Sequence, residues 1–134
     1  MATTQVEQDN ATQVRRGFNA FSIGDIASLS ELFAPDASWR GPATGVLAGH
    51  YVGRENIFKM FGQLGEETQG TFRASPGAFA AAGEHVFVQV TATGRRKGKY
   101  LESDEVLVFT LDDGRVTRVR FYLSDFQANV DFWS

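Results

Sequence analysis

Apolar residues follow two different periods along this chain, and the change between them divides it in half. Ala11, Val14, Phe18 and Phe21 recur at spacings of three, four and three, which is one face of an amphipathic helix. Gly24 is a natural stop, and Asp25 a natural N-cap for a second short helix carrying Ile26, Leu29, Leu32 and Phe33. Pro35 closes that helix, because proline cannot continue the hydrogen-bond ladder. A short strand is expected over Ala37 to Gly41, then a Gly/Pro-rich connection to Gly53. A third helix presents Ile57, Phe58, Phe61 and Leu64 on one face.

From about Gly70 the period becomes two. Val86, Val88, Val90 and Ala92 alternate with Phe87, Gln89 and Thr91, the pattern of a half-buried strand. Leu101 to Leu111 forms another, and Val119, Phe121 and Leu123 mark a last one. Asp113-Gly114 between these two suits a tight turn with positive φ. "GRRKGK" (Gly94 to Lys99) is a second hairpin tip. Helices first and antiparallel strands afterwards make an α+β domain, with the helices on one face of a curved sheet. With neither linker nor repeat, residues 1–134 read as one domain, with residues 1–10 frayed and 126–134 a C-terminal tail.

Composition narrows the classes of function. The 134 residues are 43% hydrophobic and 22% charged, ordinary values for a globular protein. A net charge of −3 gives no general attraction to nucleic acid or anionic membrane, so neither is expected as a partner. The positive charges of "GRRKGK" lack phosphate-loop spacing and read as a solvated hairpin tip. No cysteine is present, which excludes disulfides and thiolate chemistry. The two histidines, His50 and His85, lack metal-ligand spacing, so no metal is expected. The polar N-terminus and the lack of any membrane-length apolar run give a cytoplasmic expectation.

The segments "FNAFSIGDIASLSELFAPDASW", "GHYVGRENIFKMF" and "VLVFTLDDGRVTRVRFYLSD" resemble the nuclear transport factor 2-like superfamily, which includes SnoaL-like polyketide cyclases and ketosteroid isomerases. The resemblance runs from roughly Val14 to Asp125. It implies a cone: a strongly bent antiparallel sheet and three helices enclosing a deep apolar pocket, without a cofactor. It also implies a homodimer formed through the outer sheet face.

The same resemblance tests one known mechanism. Ketosteroid isomerase uses an Asp base just before a proline, a Tyr in its first helix and a neutral Asp. Those positions fall here on Gly41 (before Pro42), Gly17 and Glu105. One of three carries an acid, so that isomerase mechanism is not expected.

In this register the cone-facing residues are Trp39, Val86, Val88, Val90, Ser103, Glu105, Leu107, Phe109, Val119, Phe121 and Leu123. Phe18 and Phe21 approach from the first helix, and Phe58 and Phe61 from the third. Asp125 continues the parity of Phe121 and Leu123 toward the rim. His50 and Tyr51 lie on the connection that lines the pocket in this family. Glu105 either faces the pocket or is turned to solvent by a one-residue bulge. Facing inward, its carboxyl is desolvated and becomes a proton donor near neutral pH.

The resulting expectation is an acid–base enzyme acting by cyclisation, isomerisation, dehydration or epoxide opening on a hydrophobic polyketide- or terpene-like molecule. Glu105 protonates a substrate oxygen, Asp125 or His50 takes a proton, and Trp39 with the phenylalanines shapes the ligand. The alternative is a non-catalytic ligand-binding or dimerisation module. The tail "NVDFWS" closes the pocket in the first case and serves assembly in the second.

Overall fold

The structure, a computed structural model, describes residues 3–41 and 45–134. Pro42 and the adjoining part of the expected connection lie outside the described residues, as does the start of the N-terminal run.

Helix α1 spans Gln5–Ile23. Its start corrects the expectation of a frayed terminus, and the reason is a capping box. Thr4 Oγ1 accepts from Glu7 N at 3.2 Å, and Glu7 Oε1 accepts from Thr4 N at 2.8 Å. Gly24 ends the helix in the left-handed conformation, with φ 71°. Asp25 then caps α2 (Ile26–Leu32) by accepting from Ser28 N at 3.1 Å.

Strand β1 runs over Phe33–Arg40, so Phe33 and Pro35 belong to the strand and not to the helix before it. β2 (His50–Val52) is a short edge strand where only a connection was expected. It pairs through Trp39–Tyr51 and Arg40–His50. Helix α3 is Arg54–Glu67. Four longer strands follow: β3 (Arg73–Ala82), β4 (His85–Arg96), β5 (Lys99–Asp112) and β6 (Arg115–Leu123). The last element, α4 (Phe126–Trp133), is a helix that the sequence reading left as a tail.

The sheet order is β2-β1-β6-β5-β4-β3. It is antiparallel except where β1 lies parallel to β6, a correction to the all-antiparallel expectation. The whole middle of the chain separates these two strands, so their pairing needs no tight turn. Register shifts interrupt the β1–β6, β3–β4 and β5–β6 ladders, and such irregularities bend a sheet. Two of the three long hairpins turn on two positive-φ residues, Lys97-Gly98 (51° and 75°) and Asp113-Gly114 (51° and 77°). "GRRKGK" is therefore mostly strand, with only two residues in the turn.

The inner sheet face buries Val86, Val88, Val90, Leu107, Phe109 and Val119 against Val14, Leu29, Leu32, Ile57, Met60 and Leu64 of the helices. No helix among the described residues is long and apolar enough to cross a membrane.

Candidate functional site

Between the inner sheet face and the helices lies a cavity of about 140 Å³. Its wall is built from each layer in turn. Phe18 and Phe21 come from α1, Met60 and Phe61 from α3, Trp39 from β1, Leu107 and Phe109 from β5, and Phe121 from β6. The rings meet edge to face: Phe18 on Phe109 at 5.8 Å, Phe21 on Phe61 at 5.1 Å, Trp39 on Phe61 at 5.3 Å. Such contacts fix ring orientation beyond what apolar burial alone requires. The void is therefore rigid-walled and comparable in size to the ~150 Å³ apolar cavity that holds a benzene ring.

Among the described residues, the side chains on this wall that are neither aliphatic nor aromatic are Glu105 and Asn129. Glu105 sits mid-strand in β5, paired with Val90 on one side and Leu123 on the other. The β5–β6 irregularity falls between Thr110 and Leu111, so no bulge intervenes to turn Glu105 outward. Its neighbours on the same parity, Leu101, Ser103, Leu107 and Phe109, are all buried, whereas Glu102 and Asp104 are exposed. Removal from water pushes the Glu105 carboxyl up from its ordinary 4.5 to about 7, while the Ser103 hydroxyl bonded to it pulls the other way.

Asn129 comes from α4. That helix starts because Asp125 caps it, its carboxylate accepting from Ala128 N at 2.9 Å. Asn129, Phe132 and Trp133 are then buried at helical spacing, with Phe132 2% and Trp133 5% exposed. Trp133 and Asn129 reach the cavity wall. The tail thus folds over the cavity, one of the two placements expected for "NVDFWS". Its far end is tied to the β4–β5 hairpin: Arg96 donates to Phe132 O at 3.1 Å and Ser134 O at 2.6 Å, and Lys99 donates to Asp131 O at 2.6 Å. Arg96, expected on a solvated tip, is instead almost wholly buried and pairs with Glu67 at 3.1 Å.

The other expected site residues divide clearly. Trp39, Phe18, Phe21, Phe61, Leu107 and Phe121 line the cavity with Glu105. Val88 is buried in the core, and Phe58 stacks on Phe33 and Phe61 behind the wall. Leu123 is half-buried beside Glu105, away from the lining. Ser103 is buried behind the wall, where its Oγ accepts from Asn129 Nδ2 at 3.0 Å. Tyr51 turns its hydroxyl onto Leu47 O at 2.9 Å and so braces the loop that carries Leu47 to the wall. Two expected catalytic groups are displaced. Asp125 is exposed and spent on the α4 cap, and His50 is exposed on the β2 edge, so neither stands where it could exchange a proton with a molecule in the cavity.

The two glycines at the isomerase positions have packing reasons. A Cβ on Gly17 would lie 2.6 Å from Leu32 Cδ2, because α1 crosses α2 at close range there. A Cβ on Gly41 would lie 2.7 Å from Leu47 O, a backbone atom with no room to give. Neither an aromatic acid at the first nor a carboxylate base at the second fits this packing.

Asn129, Met60, Phe72 and Leu47 are wall residues not among the expected ones, whereas Trp133 belongs to the tail expected to close either the pocket or the assembly. For Asn129 a signal existed: Asp125 as an N-cap followed by buried-type residues at i+4, i+7 and i+8. Leu47 had none, since it sits in a loop. Among the described residues no three His, Asp or Glu side chains converge into a metal-binding group.

A profile of the SnoaL-like domain matches residues 14–119. An uncharacterised protein of Mycobacterium tuberculosis is 31% identical over 122 residues, 90% of this chain and 93% of its own length. Among solved structures, Bal32a from a soil-derived mobile gene cassette is 39% identical with a TM-score of 0.92, covering 96% of this chain and 98% of its own. An NTF2-like protein from Burkholderia xenovorans is 30% identical with a TM-score of 0.82, at 96% and 98% coverage. A profile match that runs from the first helix into the last strand, on a bent sheet with a helix-covered cavity, establishes that this chain belongs to the SnoaL-like domain family of the NTF2-like superfamily.

Proposed function

We propose that the chain is a cofactor-independent enzyme that uses one carboxyl group to move a proton on a small hydrophobic molecule held in the cavity. The observation that carries this reading is Glu105: a titratable side chain on a largely apolar wall, with its carboxyl raised to about 7. A carboxylic acid so placed is protonated in an appreciable fraction at neutral pH and gives its proton to a carbonyl, epoxide or hydroxyl oxygen brought against it. With Asp125 and His50 outside the cavity, Glu105 serves in both directions, as donor in one step and acceptor in the next. That favours isomerisation, dehydration or epoxide opening, in which one group or a water completes the proton balance. The volume favours a single ring or a short branched chain over a multi-ring polyketide.

The test is a nuclear magnetic resonance screen for turnover of small cyclic enones, hydroxyketones and epoxides, run on wild type and Glu105→Gln. The expected result is conversion by wild type, falling by at least about a hundredfold in the variant while ligand binding persists. Equal rates in both proteins would sink the proposal.

A second reading has one observation in its favour: among the described residues, the cavity wall carries a single titratable group. A binding module would hold the same ligands without turnover, and a screen that finds saturable binding and no conversion selects it.

We also propose that the protein pairs with a second copy of itself through the outer sheet face. Phe87, Val106 and Tyr122 are exposed there, at 40%, 39% and 58%. The ladder sets Asp104 at one end of this apolar strip, Arg120 level with Phe87, and Arg118 one step beyond it at the other end. A twofold axis through the strip sets acid against base twice and buries the apolar middle.

A further inference from the structure

Both hydrogens of the Asn129 side-chain amide are committed inside the protein. One goes to Ser103 Oγ at 3.0 Å and the other to Asp125 O at 2.9 Å. The second acceptor is a backbone carbonyl, which cannot donate, so the amide can be oriented in one way only. Its oxygen, Oδ1, accepts from no described residue. Among the described residues no buried side-chain oxygen lacks a partner, so Oδ1 is not sealed in protein. Asn129 is itself only 4% exposed and is one of the residues lining the cavity.

The amide also orders the groups beside it. Because Ser103 Oγ receives the Asn129 proton, the serine hydroxyl hydrogen is free to donate to the Glu105 carboxyl. Donation therefore runs one way, from Asn129 through Ser103 to Glu105, and a protonated Glu105 passes it on to whatever occupies the cavity. Ser103 and Glu105 are two residues apart on one strand face, about 7 Å along it. The cavity thus presents one donor at Glu105 and one acceptor at Asn129, on a wall that is otherwise hydrocarbon among the described residues.

We infer that the ligand is a compact hydroxylated carbonyl compound whose carbonyl oxygen faces Glu105 and whose hydroxyl donates to Asn129 Oδ1. A purely hydrocarbon ligand, or one with acceptors alone, would bury Oδ1 without a partner and lose affinity for that reason. A hydroxyl selects itself by satisfying it. Asn129 is the specificity-determining residue in this arrangement, while Glu105 contacts the reacting oxygen. This inference rests on the reading of the cavity as a small-molecule site with Glu105 as its acid.

The experiment titrates the protein, observed by nuclear magnetic resonance at about pH 6, with cyclohexanone, 3-hydroxycyclohexanone and 3-methoxycyclohexanone. Glu105 holds its proton there. Wild type is expected to bind the hydroxyketone about fivefold more tightly than cyclohexanone, and the methyl ether no more tightly. Asn129→Leu is expected to remove the fivefold preference, so that the hydroxyketone and cyclohexanone bind the variant equally. The comparison of the three ligands needs wild type alone, so it stands even if Asn129→Leu fails to fold. Cyclohexanone binding with no hydroxyl preference, or a methyl ether as tight as the alcohol, overturns the assignment to Asn129 and leaves the acid site standing. Binding of none of the three overturns both.

Discussion

Arg96 Nε lies 3.1 Å from Glu67 Oε2 and ties the end of α3 to the C-terminal helix through one side chain that is 2% exposed. The same guanidinium donates to Phe132 O and Ser134 O, so one residue holds three partners from two elements. Removing it would leave a carboxylate and two carbonyls without their donor.

Arg96→Met is therefore expected to destabilise the fold by roughly 2–4 kcal/mol, the usual cost of breaking a buried charge pair from one side. The loss should be local first. Hydrogen exchange of the amides in 126–133 is expected to accelerate far more than that of β4 and β5. Uniform acceleration across the sheet would show that α4 is held by its apolar face alone.

Stability should depend on pH through Glu105. Its carboxyl is raised to about 7 in the folded protein, against 4.5 ordinarily, so the folded state binds more protons in between. Stabilisation from the neutral acid is present in full below about 4.5 and is lost as pH rises through about 7. The size is on the order of 2–3 kcal/mol, an upper figure for a half-buried group. Urea denaturation from pH 5 to 8 is expected to show wild type weakening across this interval while Glu105→Gln stays flat. Parallel profiles would mean that Glu105 is solvated.

A Cβ added at Gly17 would lie 2.6 Å from Leu32 Cδ2, so a methyl group there forces the leucine side chain to shift. Gly17→Ala is expected to cost about 1 kcal/mol, the overpacking outweighing alanine's better helix propensity. Adding Leu32→Val removes the methyl in conflict, and the pair should be less damaging than the sum of the two single changes. Thermal melts of the four proteins form the cycle. Strict additivity would deny the contact.

The outer face predicts self-association. Val106→Arg places a charge in the middle of the apolar strip between Phe87 and Tyr122, and sedimentation should show a dimer in wild type and a monomer in the variant. The cavity is on the opposite sheet face, so cyclohexanone binding should be unchanged. A wild type that sediments as a monomer at micromolar concentration would end the proposal.

Much of the architecture is legible in the chain because the signals are local. Spacings of three and four placed α1 and α3, alternation placed β4 and β5, and Asp113-Gly114 fixed a turn through its positive φ. Parity along β5 was enough to separate Glu105 from Glu102 and Asp104, because an uninterrupted strand alternates strictly. Where the ladder is irregular or the segment short, the reading failed. Pro35 forces Ala34 before it into the extended region, and β1 begins at Phe33, one residue earlier. The helix α4 is short, and its one local mark is the Asp125 N-cap followed by buried-type residues at helical spacing.

Sequence by itself determined the two-part α+β organisation, the parity that Glu105 shares with Leu107 and Phe109, and the aromatic character of the wall. These follow from periodicity, which each segment carries alone. Tertiary structure decided what faces that acid. It spent Asp125 on a helix cap, left His50 on an exposed edge, buried Arg96 as a clamp and brought Asn129 to Ser103 from 26 residues away. Those outcomes depend on which long-range surfaces meet, and residues so far apart record no trace of one another in local spacing.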